Sequence, residues 1–507
     1  MARVKTFKIM LMLGALAMVP EQALARGAKE NQEIKDLRRE VEELKQQVRA
    51  LAAAAAASQP RTTSLAEASQ PIVTTPAVTI DAVAPKAPVT TATLASAAPA
   101  TAATSVITNS TLASAAPAAQ PSPAQHSKAW YEKLTLRGYT QLRVNEILTG
   151  ADTAPSGVSR LRSVQDSALS DKGNFSLRRA RLVLQGDISS RVSIYLQTDM
   201  ATAVSNQTSG EKREGFVQLR DAYADVFLDK QRTLKLRFGQ TKVPVGWENL
   251  QSSSNRLTLD RSDAIDSAVP GERDMGVVAF YTPAHVQRIW DKLAKDGQKL
   301  MGNYGAFGVG VFNGQGIAHT ETNNGLMKAA FATWPVELGG ALKGQVIELG
   351  GSLMQNKFQP ELRVGGVSAL AYNEHRAMVH AMLYPKPFGL QAEWTWGQAP
   401  VWDTAVGGLV NRGLNGGYVM SMYRLPHTSM GQIIPFARWQ YYRGSWKAAV
   451  NSPRLDTNEL EFGVEWQPMK EVELTISYAD TKRTEADERR LGQAKGQLLR
   501  AQVQWNY

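Results

Sequence analysis

The sequence predicts an all-β fold, a 16-stranded antiparallel transmembrane β-barrel, preceded by an N-terminal α-helical coiled coil on a disordered linker. Three observations carry this. From about Leu134 onward, sixteen segments alternate apolar and polar side chains, the period of a strand with two unlike faces. The connections between them mostly alternate long and short, as in an outer-membrane barrel. The last segment ends in an amphipathic aromatic strand whose exposed edge would invite aggregation unless closed into a barrel.

The segments before the barrel read in order. Arg3, Lys5 and Lys8 precede an apolar run from Ile9, and Ala23-Leu24-Ala25 supplies small residues for cleavage, so 1–25 is a secretory signal peptide. In 26–57, Ile34, Leu37, Val41, Leu44, Val48 and Leu51 recur at 3 and 4, a heptad seam with Glu33/Arg38 and Glu40/Lys45 at the flanking charged positions. β-branched residues at a with Leu at d favour two strands. Residues 58–130 are rich in Ala, Pro, Thr and Ser, and TLASAAPA occurs twice, at 93–100 and 111–118. Such a segment buries too little apolar surface to offset the entropy of ordering it, and as a coil it spans roughly 50 Å.

Residues 131–507 form the barrel. Strands are expected near 134–147, 173–187, 191–203, 215–229, 232–240, 273–283, 304–313, 325–334, 345–357, 374–384, 388–398, 415–425, 431–444, 458–468, 471–482 and 496–507. Connections 148–172 and 399–414 read as long loops, 188–190 and 426–430 as tight turns, and 283–302 as a turn enlarged by a small helix. In the last strand Leu499, Ala501, Val503, Trp505 and Tyr507 share one face and Arg500, Gln502 and Gln504 the other. That terminal pattern is similar to the signal read by the barrel assembly machinery, an expected partner together with outer-membrane lipid. The hydrophobic fraction is 43%, and no apolar run of about 18 residues follows the N-terminus, which excludes a polytopic helical membrane protein.

With no cysteine, disulfides, thiolate metal sites and Cys nucleophiles are excluded. The motifs HExxH, GxSxG and GxxxxGK[ST] are absent, and His375 and His380 fall on opposite faces of one strand, so neither enzyme activity, metal nor cofactor is expected. Of the net charge of +11, residues 1–25, 26–57 and 58–130 carry +2, +1 and +1, leaving +7 on 131–507. That excess points to an anionic partner, and export argues against nucleic acid.

Several stretches together resemble the phosphate-selective porin O and P family: FSLRRARLVLQGDI (175–188), LRDAYADVFLD (219–229), FGQTKVPVGWE (238–248), PGERDMGV (270–277) and VGVFNGQG (309–316). The resemblance covers roughly 134–316 well and the remainder by strand pattern. It implies a sixteen-stranded homotrimeric porin of a Gram-negative outer membrane whose third external loop folds into the lumen. Dimer from the heptads and trimer from the resemblance both stand at this stage.

If apolar side chains face lipid, the alternate positions face water. Arg137, Arg143, Arg179, Arg181, Lys235, Arg237, Arg438 and Arg500 are then the basic candidates lining the pore. The long loop between the fifth and sixth strands adds Lys242, Arg256, Arg261 and Arg273, beside Glu248, Asp260, Asp263, Asp266 and Glu272. Arg and Lys rings select anions, so the expected function is passive diffusion of small hydrophilic solutes with anion preference, phosphate and other oxyanions among the candidates. The competing reading pairs these cations with inward Asp221, Asp225, Glu461 and Glu465, giving a weakly selective barrel that anchors the envelope to the cell wall through the periplasmic coiled coil.

Overall fold

The computed structural model describes residues 129–507, except for 204–213, 318, 320 and most of 151–173, together with positions 39 and 46, both helical. The expected signal peptide, the coiled coil apart from those two positions, and the linker up to residue 128 lie outside the described residues.

Sixteen strands close into one antiparallel barrel in sequence order. They are β1 (Leu134–Thr149), β2 (Asn174–Asp187), β3 (Val192–Ala203), β4 (Glu214–Phe227), β5 (Leu234–Lys242), β6 (Arg273–Tyr281), β7 (Phe307–Phe312) and β8 (Met327–Glu337). The second half comprises β9 (Val346–Phe358), β10 (Tyr372–Leu383), β11 (Phe388–Asp403), β12 (Gly408–Tyr423), β13 (Gln432–Ser445), β14 (Arg454–Met469), β15 (Val472–Ala486) and β16 (Ala494–Asn506). Each overlaps its expected place, the largest shifts being those that lengthen β11, β12, β14 and β15. Closure is made by β16 against β1, with Tyr139 opposite Asn506 and Arg143 opposite Gln502. Tyr507 completes the seam: Gly138 N donates to its carbonyl at 2.6 Å and its own N–H donates back to Gly138 at 3.0 Å.

One expected loop is not a loop. The connection expected to be long, 399–414, is mostly strand: the β11/β12 ladder runs unbroken from Phe388↔Tyr423 to Asp403↔Gly408. Only 404–407 turn. Asp403 closes that turn, accepting from Ala405 N at 2.9 Å and pairing with Arg412 at 2.5 Å. Beyond the membrane a hairpin has no apolar face to display, so alternation fades while backbone pairing persists. The enlarged turn does hold a helix, Ala284–Lys295.

Outward positions such as Val309, Leu353, Phe462 and Trp505 are exposed, and inward ones are largely polar or charged and buried. A bulge after Gln141, where Arg179 and then Leu177 oppose consecutive residues of β1, brings Arg178 in beside Arg179. The interior is uneven. The walls β8–β13 turn Phe331, Met354, Met378, Met382, Met420, Met422, Ile434 and Phe436 inward, and these form one apolar cluster with the loop 243–272.

Candidate functional site

The loop 243–272 lies inside the barrel. Its apolar side chains Val243, Val245, Trp247, Leu250, Leu257, Ile265 and Val269 are buried against that Met-rich wall. Burying several such side chains, at about 1.5–3 kcal/mol each, favours the folded-in position over one in water. Gly246, at φ 82°, opens the short helix Trp247–Leu250, a conformation that favours glycine. Glu393 of β11 receives that helix start, accepting from the backbone N–H groups of Trp247 and Glu248 at 2.7 Å each.

Polar contacts hold the loop around most of the remaining wall. Asp260 accepts from Arg143 of β1 at 3.2 Å and from Arg500 of β16 at 2.5 Å, with Arg178 at 3.5 Å. Asp166 joins them, 2.6 Å from Arg143 and 2.8 Å from Arg500. Burial alone would raise the pKa of Asp260, but the surrounding guanidiniums, Arg143 and Arg500 foremost, hold it well below the usual carboxylate range. Asp263 is held by Arg483 of β15 and Thr457 of β14, both at 2.7 Å. Ser267 is held by Arg376 of β10, at 2.8 Å to its hydroxyl and 2.9 Å to its carbonyl. The loop therefore crosses the lumen as a fixed plug.

The expected wall cations do point inward, and most meet carboxylates. Arg181 pairs with Asp199 at 2.7 Å, Lys235 and Arg237 share Asp225 at 2.9 and 2.7 Å, and Arg438 reaches Glu461 at 2.8 Å. Arg137 and Arg179 have no carboxylate partner among the described residues. Arg137 is exposed and donates to Gln185, while Arg179 donates to Gln141 at 2.8 Å and leaves its Nε without an acceptor.

Three of the four loop candidates serve the loop itself. Lys242 Nζ donates to the carbonyls of Asn249 at 2.7 Å and Gln251 at 2.8 Å, satisfying the end of the Trp247–Leu250 helix. Arg261 donates to Glu272 and to the carbonyls of Glu248 and Gln251, and Arg273 bridges Asp221 and Glu272 at 2.9 and 2.8 Å. Arg256 differs: it is 6% exposed, and among the described residues none of its three guanidinium nitrogens meets an acceptor. Burial, then the charge of Arg261, pushes its pKa down to about 9 against the pull of Glu248, Glu272 and Asp260. A guanidinium relieves such burial by gaining a counter-ion or water rather than by losing its proton.

Further inward cations, Arg376 and Arg483 buried and Arg178 and Lys299 half-buried, escaped sequence reasoning. Arg376 shares the inward parity of Glu374 and Met378 on β10, so alternation could have found it. Arg483 lies one residue past the expected strand end. Arg178 depends on a bulge, and Lys299, at 3.0 Å from Glu465, lies in the short-turn end of the chain outside any strand.

Between the plug and β1–β4 lies a cavity of about 320 Å³, on the side where the interior is not apolar. Arg137, Arg181, Lys242 and Arg273 line it with Asp221 as the one carboxylate, beside Ser252, Ser254 and Asn255 of the loop. Arg256 lies close enough to Arg179 for their charges to repel.

The profile of the family "Phosphate-selective porin O and P" matches residues 156–507. No curated protein matches the chain. Similar solved structures include the outer-membrane channel DcaP of Acinetobacter baumannii, at 14% identity and TM-score 0.44, covering 74% of this chain and 97% of that one. OmpF of Salmonella typhi in complex with daunomycin is 11% identical at TM-score 0.47, covering 74% and 98%. The anion-selective porin of Comamonas acidovorans is 11% identical at TM-score 0.44, covering 74% and 99%. With a closed sixteen-stranded barrel, a third long loop folded into its lumen and a family match over most of the chain, this protein belongs to the phosphate-selective porin O and P family, the porins of the outer membrane.

Proposed function

We propose that this porin passes small hydrophilic anions by passive diffusion along the side of the lumen between the plug and β1–β4, and that Arg256 with Arg179 forms its selective step. The observation that carries the reading is the guanidinium of Arg256, unpartnered among the described residues and buried beside a second arginine, Arg179, that meets no carboxylate among them either. An anion passing there exchanges part of its hydration for guanidinium N–H groups, and its charge offsets a burial that the protein leaves uncompensated. Oxyanions, phosphate among them, suit the planar fork better than chloride does. Three copies side by side are the assembly that the family resemblance implies.

The reversal potential of planar bilayers in a KCl gradient tests this. The wild type should be anion-selective, and Arg256→Gln should move the potential towards zero with the barrel intact. A cation-selective wild type, or an Arg256→Gln potential identical to wild type, would end the proposal. The second reading, a weakly selective barrel serving mainly as an anchor, draws support from the extensive pairing of Arg181, Arg237, Arg438 and Arg500. It predicts a near-zero reversal potential, and loosened envelope attachment without altered conductance when residues 26–127 are removed.

A further inference from the structure

A broad concavity lies outside the lumen, on the membrane-facing wall. It has a volume of about 1220 Å³ and crosses β7–β11 near their long-loop ends. Strand register lays out its floor. One row holds Val309, Ala330, Leu353, Ala377 and Trp396 as successive neighbours. Leu353 is 62% and Trp396 46% exposed, while the alanine between them adds no height. The result is an apolar channel with high walls.

The next row towards the long loops changes character. Lys328, Gln355 and His375 follow one another there, and Lys357 sits beyond them opposite Asn373. Among the described residues no carboxylate pairs with Lys328 or Lys357. The single acid of the lining, Glu374, faces inward, is 1% exposed, and is held by Arg376 at 2.9 Å and Lys447 at 2.5 Å. Further round the rim the outward Arg443 does have a carboxylate, Asp456. A cationic head above an apolar channel, at the end of the barrel that carries the long external loops, matches one kind of occupant.

We propose that this groove binds a phosphorylated glycolipid of the external leaflet, with an acyl chain lying over Ala377 between Leu353 and Trp396 and a phosphate on Lys328 and Lys357. The lysine ammonium groups supply point charges to the phosphate oxygens, and His375 and Gln355 lie in reach of the sugar. The site is independent of permeation, because the side chains it uses, Lys328, Lys357, Leu353, Ala377 and Trp396, face away from the lumen.

Binding of diphosphorylated lipid A to the intact protein in detergent, followed by native mass spectrometry, provides the test. At about 1 kcal/mol for each basic residue near a lipid surface, Lys328→Ala with Lys357→Ala should weaken retention roughly thirtyfold. Ala377→Leu, which fills the channel and leaves the charges, should also weaken it. Lys482 lies on the same rim opposite Lys495, outside this groove, and Lys482→Ala should have no effect. Equal loss in the Lys482 variant, equal retention of a dephosphorylated lipid A, or no loss in the double variant would overturn the proposal. So would dissociation of the assembly by Ala377→Leu, which would make this face an interface between copies.

Discussion

Replacing Asp260 with Asn should loosen the plug without unfolding the barrel. This carboxylate is the point where the loop meets the β1/β16 seam, accepting from Arg500 at 2.5 Å and Arg143 at 3.2 Å, with Arg178 at 3.5 Å. Removing one partner of a buried ion pair costs about 3–5 kcal/mol. Asn keeps an acceptor oxygen, and Asp166 still neutralises Arg143 and Arg500 from 2.6 and 2.8 Å, so about 2–3 kcal/mol is the reasonable loss. A two-state equilibrium between seated and displaced loop then shifts roughly 30- to 160-fold towards displacement. Single-channel recordings should show larger open-channel noise and a raised mean conductance, while the barrel's thermal unfolding stays in place, since every strand pairing is retained. Unchanged noise and conductance would refute the argument, because it requires the loop to occupy the conducting path and Asp260 to hold it there.

Two further predictions use the absence of native cysteine, so that Ser254→Cys becomes a clean reporter of loop exposure to a thiol reagent. Burial, opposed by Arg261 and reinforced by Glu272, raises Asp266 to about 7. The displaced loop would ionise Asp266 near its ordinary value of about 4, so the seated form holds the extra proton between these pH values. Seating should therefore weaken, and labelling quicken, as pH rises from about 4 to about 7, and Asp266→Asn should flatten that slope; a slope surviving the substitution assigns it elsewhere. Lys242→Met strips the donor from the carbonyls of Asn249 and Gln251, for about 1–3 kcal/mol of loop stability, so labelling should quicken, and removing a charge from the cavity wall should lower anion preference less than Arg256→Gln does. A reduced anion preference with unchanged labelling would show that Lys242 acts on permeation alone and not on the seating of the loop.

The strands were legible because their two faces meet different solvents, lipid and water, and a period of two survives any sequence change that respects this. The same assumption hid the seat of the plug. On β8–β13 both faces are apolar in places, as where Met378 and Met382 turn inward while Val379 faces out, so alternation there marks the strand without marking the lumen as wet. The interior pairings divide by distance. Asp225 stands directly opposite Arg237 in the β4/β5 ladder, and a hairpin register would disclose it. Arg143, Asp166, Asp260 and Arg500 come from β1, two loops and β16, and meet only after closure.

This is why a count of inward cations is a poor guide to selectivity here. Rim and wall arginines such as Arg237 and Arg500 are inward, basic and unavailable, since each already has a carboxylate within hydrogen-bond distance, and an anion entering would have to displace it. Arg256 stands out through what it lacks. A buried guanidinium with three unmatched nitrogens is costly to keep, and the cost is relieved when an anion arrives and returns when it leaves. On the proposed reading, a site that binds by relieving such a penalty is entered readily, and the neighbouring charge of Arg179 would draw the anion onward instead of trapping it, which is the condition for passage through a pore.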